Sequence, residues 1–598
     1  MKIRKFLGVL VILAFFGLMC SINADDTINI SPDGKTIQQA VDEISAKGTI
    51  YFSPGRYSRA GDHNVNIAGK DVTFVATGDG AIVDGGERNR IFNIDENSKV
   101  HIEKIALFNG YVIDNGACIN NAGELEITNC NISGNHADKS YGDTGYGGAI
   151  YNTGSCKITS SFLSSNEARN SGGVIANYGT CTVSQSECTN MTSWTNGGVF
   201  YNEGNFTISD TNIYKNTAYK NGGIIWNSGN FTSINSEYTK SVATKSFDDD
   251  PELLGGAVLF NTGFANLTNS TLKNCSIRYN AIGNQVGGGA IVSTGGSSTM
   301  ISGSTIDNDK NRAIVLLSGS SVNMDNSKII NNGEGGLSLQ SNAHAIINGC
   351  EFTNNNASRG GAIDNNGTLI ITDGKFNSNT AYNNGLKDAD GGAVYNSDSL
   401  SVRNTSFVNN FANGRDGGAI NNYGSLNVQG SHFDANKATG GGGAIWNYEH
   451  SITVSDSTFN NGQAFNGAGI SNYLGDARLS NCNFTNNKIA TNGGTIENWG
   501  GTLRIENCNF NNNEAKQSGG AIDSYSSTLT IIGSSFTYCK AGSLGGAINN
   551  FDSWSTSIGS SGFTSNTASN GGAIATNKAI DTGACTFSNN KPNNIYKY

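Results

Sequence analysis

The chain has 598 residues, 79 of them glycine and only 4 proline, with 14% charged residues and a formal net charge of −10. That balance excludes the basic footprint of a nucleic-acid-binding protein, and beyond residue 24 no apolar run is long enough to cross a bilayer as a helix. A chain of this length would ordinarily divide into several domains, but a short repeat lets one core extend along an axis.

Residues 1–24 read as a secretory signal, with basic Lys2, Arg4 and Lys5, an apolar run over residues 6–19, and Ala24 before Asp25. Export is expected, with no integral membrane segment after cleavage. Residues 25–110 form the next block. Ile37, Ala40, Val41 and Ile44 fall at helical spacing and predict one short amphipathic helix that ends near Lys47-Gly48. Residues 49–52 then read as a strand and Ser53-Pro54-Gly55 as a turn. A solenoid of strands has a bare first coil, so the expected role of the helix is to cover it. Strand-length runs separated by Gly, Asn and Asp follow as far as Asn109.

Residues 111–598 are organised by Gly147-Gly148-Ala149-Ile150, close copies of which run from Gly116 to Gly571, most often 25 or 26 residues apart. Each unit continues with an apolar alternation such as Leu426-Asn427-Val428 and a phrase such as Phe433-Asp434-Ala435-Asn436, which predicts three short strands per coil. Paired glycines permit positive φ and close backbone approach where strands turn. Phe352, Phe376, Phe407, Phe433, Phe459, Phe484, Phe510, Phe536, Phe563 and Phe587 share one register and predict an internal aromatic ladder. Asn355, Asn379, Asn410, Asn436, Asn487, Asn513 and Asn566 predict stacked amides. About twenty coils at strand spacing make a rod on the order of 100 Å long.

The linked GG-A-[IV] and F-x-x-N phrases resemble the repeats of chlamydial polymorphic membrane proteins, shared by adhesin-like surface proteins of methanogenic archaea, over roughly residues 116–590. The opening block resembles that of pectate-lyase-like proteins. The expected fold is therefore all-β, a single-stranded right-handed parallel β-helix (solenoid) with a short N-terminal capping helix. The resemblance implies surface exposure and adhesion to a cell-surface or extracellular polysaccharide or protein. It departs from the chlamydial type in that no C-terminal membrane barrel is recognisable.

Chemistry is harder to find. No HExxH, GxSxG or phosphate-binding loop occurs, and the six histidines lie apart. Glu497 and Asp523 occupy one position in successive coils, at a spacing within the range of a retaining glycosidase's carboxyl pair, but two solvated carboxylates on a polar face are the plainer reading. Beside them Tyr423, Tyr448, Tyr473, Trp499, Tyr525 and Phe551 share a register. If the asparagine before each points inward, strand alternation places these rings outside, where they form either a sugar-stacking row or a structural ladder. Longer repeats place extra residues at 137–146, 239–254, 278–286 and 381–390, expected to project as loops. Asp248-Asp249-Asp250 in the second is a candidate Ca²⁺ site or a plain acidic loop. No other cofactor is indicated. Eleven cysteines follow Cys20 without a CxxC pair, and Cys156 with Cys181, like Cys482 with Cys508, share registers as stacked buried side chains. Three functions fit: an adhesin-like rod binding glycans, a polysaccharide lyase or glycoside hydrolase, and a structural envelope spacer.

Overall fold

The computed structural model describes residues 25–139, 142–244, 255–278, 289–307, 311–383, 389–490 and 493–598. They form a right-handed parallel β-helix whose coils contribute one strand to each of three long sheets, every pairing parallel. The strand after the glycine pair builds a sheet of 21 strands from Val65–Ile67 to Ile595–Lys597, here called the Gly-Gly sheet. A second sheet of 21 runs from Asp26–Ile30 to Ser555–Gly559, and a third run of strands from Gly55–Tyr57 to Thr586–Ser588 carries the phenylalanines. A short fourth strand is added in two stretches, seven coils from Tyr111–Val112 and eight from Asn356–Ala357.

Each half of the glycine pair answers one demand of the turn. Gly172 sits at φ 73°, a left-handed conformation that a side chain resists, whereas a Cβ on Gly173 would lie 2.2 Å from the Gly198 carbonyl oxygen of the next coil. The strand then alternates: Ile445 and Asn447 point into the core, Trp446 and Tyr448 outward.

The core repeats by stacking. All ten phenylalanines stack in sequence with ring centroids 4.7–5.1 Å apart. Asn355, Asn379 and Asn410 each donate from Nδ2 to the Oδ1 of the next asparagine at 3.0 Å, ending on Asn436, and the pairs Asn487–Asn513 and Asn566–Asn590 repeat the bond. The left-handed residue is the one before each ladder asparagine, such as Asn354 or Asn409. A second amide ladder lies inside the Gly-Gly sheet. It runs from Asn121 to Asn261 and again from Asn365 to Asn498, with amide bonds of 2.7–2.8 Å. Buried amides are tolerated because each donor and acceptor is met by the coil above or below.

The helix is shorter than its periodicity predicts, spanning Ile37–Glu43 behind a Thr36–Gln39 capping box. The chain leaves it at Ile44, because Lys47-Gly48 already opens the strand Lys47–Phe52 and a Cβ on Gly48 would lie 2.6 Å from the Asp26 carbonyl oxygen. The helix does cover the first coil, and it does more. Gln38 Nε2 donates to the Asn66 carbonyl (3.3 Å) and Oε1 accepts from the Asn66 N–H (2.7 Å), so one side-chain amide occupies the edge of the first Gly-Gly strand. At the other end the last strand is Ile595–Lys597, paired with Ile574–Thr576.

Among the described residues no helix is long and apolar enough to cross a membrane. The cysteines are free thiols, and the Cys482 N–H lies 3.4 Å from Cys508 Sγ as the shared register requires.

Candidate functional site

The outer face of the Gly-Gly sheet brings the expected residues together. Asn422, Asn447, Asn472 and Asn498 are buried, so the ring that directly follows each faces out. Tyr423, Tyr448, Tyr473, Trp499, Tyr525 and Phe551 form one continuous stack with centroids 5.6, 5.5, 6.1, 4.6 and 5.1 Å apart. Tyr395 joins it at one end, 5.6 Å from Tyr423, and Tyr598 at the other, 6.2 Å from Phe551. Trp499 and Tyr525 are the open part, 44% and 37% exposed, whereas Trp446 is packed down at 9%.

A polar row runs beside the rings, two residues earlier on each strand: Ser471, Glu497, Asp523 and Asn549, joined in register. Ser471 Oγ donates to Glu497 Oε2 (2.6 Å), Asn549 Nδ2 donates to Asp523 Oδ1 (2.8 Å), and the Tyr598 hydroxyl donates to Asn549 Oδ1 (3.1 Å). Burial, aided by Asp523 and Asp416, pushes the Glu497 carboxyl up to about 7, and burial pushes Asp523 up to about 6. The Glu497 coil also departs from the repeat. Gly493 and Gly494 are both at positive φ, 88° and 30°, whereas in neighbouring coils only the first glycine is. A Cβ on Gly493 would lie 3.2 Å from Glu497 Oε1, so the glycine leaves the space this carboxyl occupies.

Cations on this face are confined to its earlier coils. Arg359 pairs with Asp364 (3.0 Å) and lies 4.3 Å over the Tyr395 ring, and Arg415 reaches Asp416 (3.5 Å) and Asp390 (3.9 Å). No lysine or arginine pairs with Glu497 or Asp523 among the described residues.

A second ring cluster on the same face, unforeseen from the sequence, lies in the N-terminal half. Tyr151, Tyr178, Tyr201 and Trp226 come from successive coils, and Tyr146 from the residue 137–146 insertion folds onto them, 5.4 Å from Tyr201. Tyr146 donates to Asp143 and Tyr201 to Glu203, each at 2.6 Å. Burial pushes the Tyr146, Tyr178 and Tyr201 phenols far above their ordinary range. The face continues through Trp226 into a buried patch of Phe260, Val292, Val315 and Leu317. The available signal was the outward position after each isoleucine, where Tyr151, Tyr201 and Trp226 match Tyr395 and Trp446.

Where described, this insertion therefore lies on the face and does not project. Asp248, Asp249 and Asp250 lie outside the described residues. Among the described residues no three His, Cys, Asp or Glu side chains are grouped to hold a metal ion.

Known proteins agree on architecture. The family described as a right handed beta helix region matches residues 255–416 and 289–459, and the Chlamydia polymorphic membrane protein repeat matches residues 129–153. No curated protein matches the sequence. Among solved structures, a mannuronic acid specific polysaccharide family 6 lyase from human gut microbiota is similar at 8% identity and a TM-score of 0.27, covering 77% of this chain and 86% of its own. The A-module of a mannuronan C-5 epimerase from Azotobacter vinelandii is similar at 13% identity and a TM-score of 0.20, covering 75% and 93%. Neither superposition is close enough to bear on the chemistry of this chain.

Proposed function

We propose that this is an adhesin-like rod, secreted or held at a cell surface, that binds polysaccharide along the open ring row. The observation that carries the reading is that row: six rings in register on a rigid sheet, two of them exposed beside a line of hydrogen-bonding side chains. Sugar faces stack on such rings, and hydroxyls bond the half-buried Glu497 and Asp523 carboxyls next to them, which buried Ser471 and Asn549 hold in place. The sheet holds the groups in place before a ligand arrives, which lowers the cost of binding. The match to polymorphic membrane protein repeats supports a surface location, and the signal-like residues 1–24 support export. Passing the purified protein over a panel of polysaccharides tests it. Retention without new products is expected, and Trp499→Ala with Tyr525→Ala should abolish retention while leaving the fold intact; retention that survives both changes would overturn the reading.

One observation favours a second reading, a polysaccharide lyase or glycoside hydrolase. A carboxyl raised to about 7, as for Glu497, retains a proton at neutral pH and can serve as a general acid. New oligosaccharide products that vanish in Glu497→Gln would put this reading first. Neither retention nor products would leave a structural envelope spacer.

A further inference from the structure

The acid pair lacks what the rest of its face has. At the earlier coils Arg359 and Arg415 each meet a carboxylate, but Glu497 and Asp523 stand in register, about one strand spacing apart, and no lysine or arginine among the described residues pairs with them. The groups that do face them are Ser471, Asn549, the Gly493 N–H, the Trp499 and Tyr525 rings, Tyr598 through Asn549, and the further acid Asp416. Lys578, on the same side of the rod end, is already drawn to Asp552 (3.7 Å). Two half-buried carboxyls without a counter-charge either hold a proton or await a positive ligand. The neighbouring rings decide which ligand fits, because an ammonium is attracted both by the face of Trp or Tyr and by a carboxylate that accepts its N–H.

We propose that the surface shared by Glu497, Asp523 and the Trp499 and Tyr525 rings binds a protonated amine carried on a sugar, so that the polysaccharide suited to this face is an amino-sugar polymer with free ammonium groups. The proposal rests on the glycan-binding reading and gives it a substrate class. The rings stack the sugar, the acid pair selects the charge, and Gly493 keeps Glu497 Oε1 clear of a neighbouring side chain. Lowering the pH protonates the pair and releases the amine, while a neutral sugar held by the rings alone is unaffected.

The test measures binding of three oligosaccharides of equal length, one of glucosamine, one of N-acetylglucosamine and one of glucose, at about 150 mM salt so that long-range attraction to an acidic protein is screened. The glucosamine oligomer is expected to bind about tenfold more tightly than its acetylated counterpart near pH 7, where amine and acid pair both carry charge, and to lose that advantage near pH 4.5, where the pair is protonated. Glu497→Gln with Asp523→Asn, both close in shape to the native residues and still able to hydrogen-bond a hydroxyl, should bring binding of the glucosamine oligomer down to that of its acetylated counterpart. Trp499→Ala should weaken all three. Equal binding of the charged and acetylated oligomers, or a preference that survives the double change, would overturn the proposal while leaving glycan binding in place. Binding of none of the three, here and across the wider panel, would instead remove the reading on which it rests.

Discussion

The two ring clusters lie on the outer face of one sheet, the first mostly one residue after the isoleucine position and the second three residues after it, yet only the second is open. In the N-terminal half Tyr146 closes over Tyr178 and Tyr201, and Tyr201 is 8% exposed. In the C-terminal half the rings stand in a plain stack, and Trp499 is 44% exposed. The carboxylates differ in the same sense. Asp143 and Glu203 are taken up by phenol hydroxyls, whereas Glu497 and Asp523 accept from Ser471 and Asn549 and pair with no lysine or arginine among the described residues. Stacked rings at coil spacing therefore do not by themselves make a surface for a ligand. What an insertion does over them decides between a sealed buttress and an open face.

The contrast can be broken in order of effect. Tyr201→Ala should destabilise its neighbourhood by about 3 kcal/mol, as for a large buried ring, and leave glycan binding unchanged. Because coils touch only their neighbours, the loss should be local and visible as faster amide exchange around residues 151–226, not as one global transition. Trp499→Ala should do the reverse, weakening glycan binding about tenfold with little change in exchange. A Tyr201 variant that loses binding, or a Trp499 variant that loses protection instead, would erase the distinction.

The next effect depends on pH. The folded chain holds the protons on Glu497 (about 7, ordinarily 4.5) and Asp523 (about 6, ordinarily 3.8) more tightly than the unfolded chain does. Their contribution is thus most favourable in acid, declines as the pH rises through the interval from the ordinary to the raised values, and is flat above about 7. Glu497→Gln should remove about 1 to 2 kcal/mol of that slope, read from local exchange at a series of pH values. The smallest change is Tyr201→Phe, which removes the bond to Glu203 and should cost about 1 kcal/mol in the sealed cluster alone.

The coil and its ladders were legible because a repeat multiplies weak signals. One Phe433 means little, but ten in register fix an inward position, and the ladder asparagines follow from it. The open ring row was legible by the same rule, since Asn447 and Asn498 had to point inward for Tyr448 and Trp499 to point out. The sealed cluster was not, because its outward residues alternate with Ala176 and other small side chains, and Tyr146 reaches it from an insertion with no register to follow. The early end of the helix was missed for a related reason. Periodicity records which side is apolar, and the room needed by the strand at Gly48 leaves no periodic trace.

The side chain of Gln38 has a consequence for assembly. A filament that grows by adding strand to strand needs two free edges on every copy, one to give and one to receive. With its amide lying across Asn66, the first strand of the Gly-Gly sheet offers no edge to receive a partner. Any joining through this sheet stops at a closed pair, since one stoppered end rules out head-to-tail addition. Through this sheet the face can at most double in such a pair, and crowding many copies together does not extend it further.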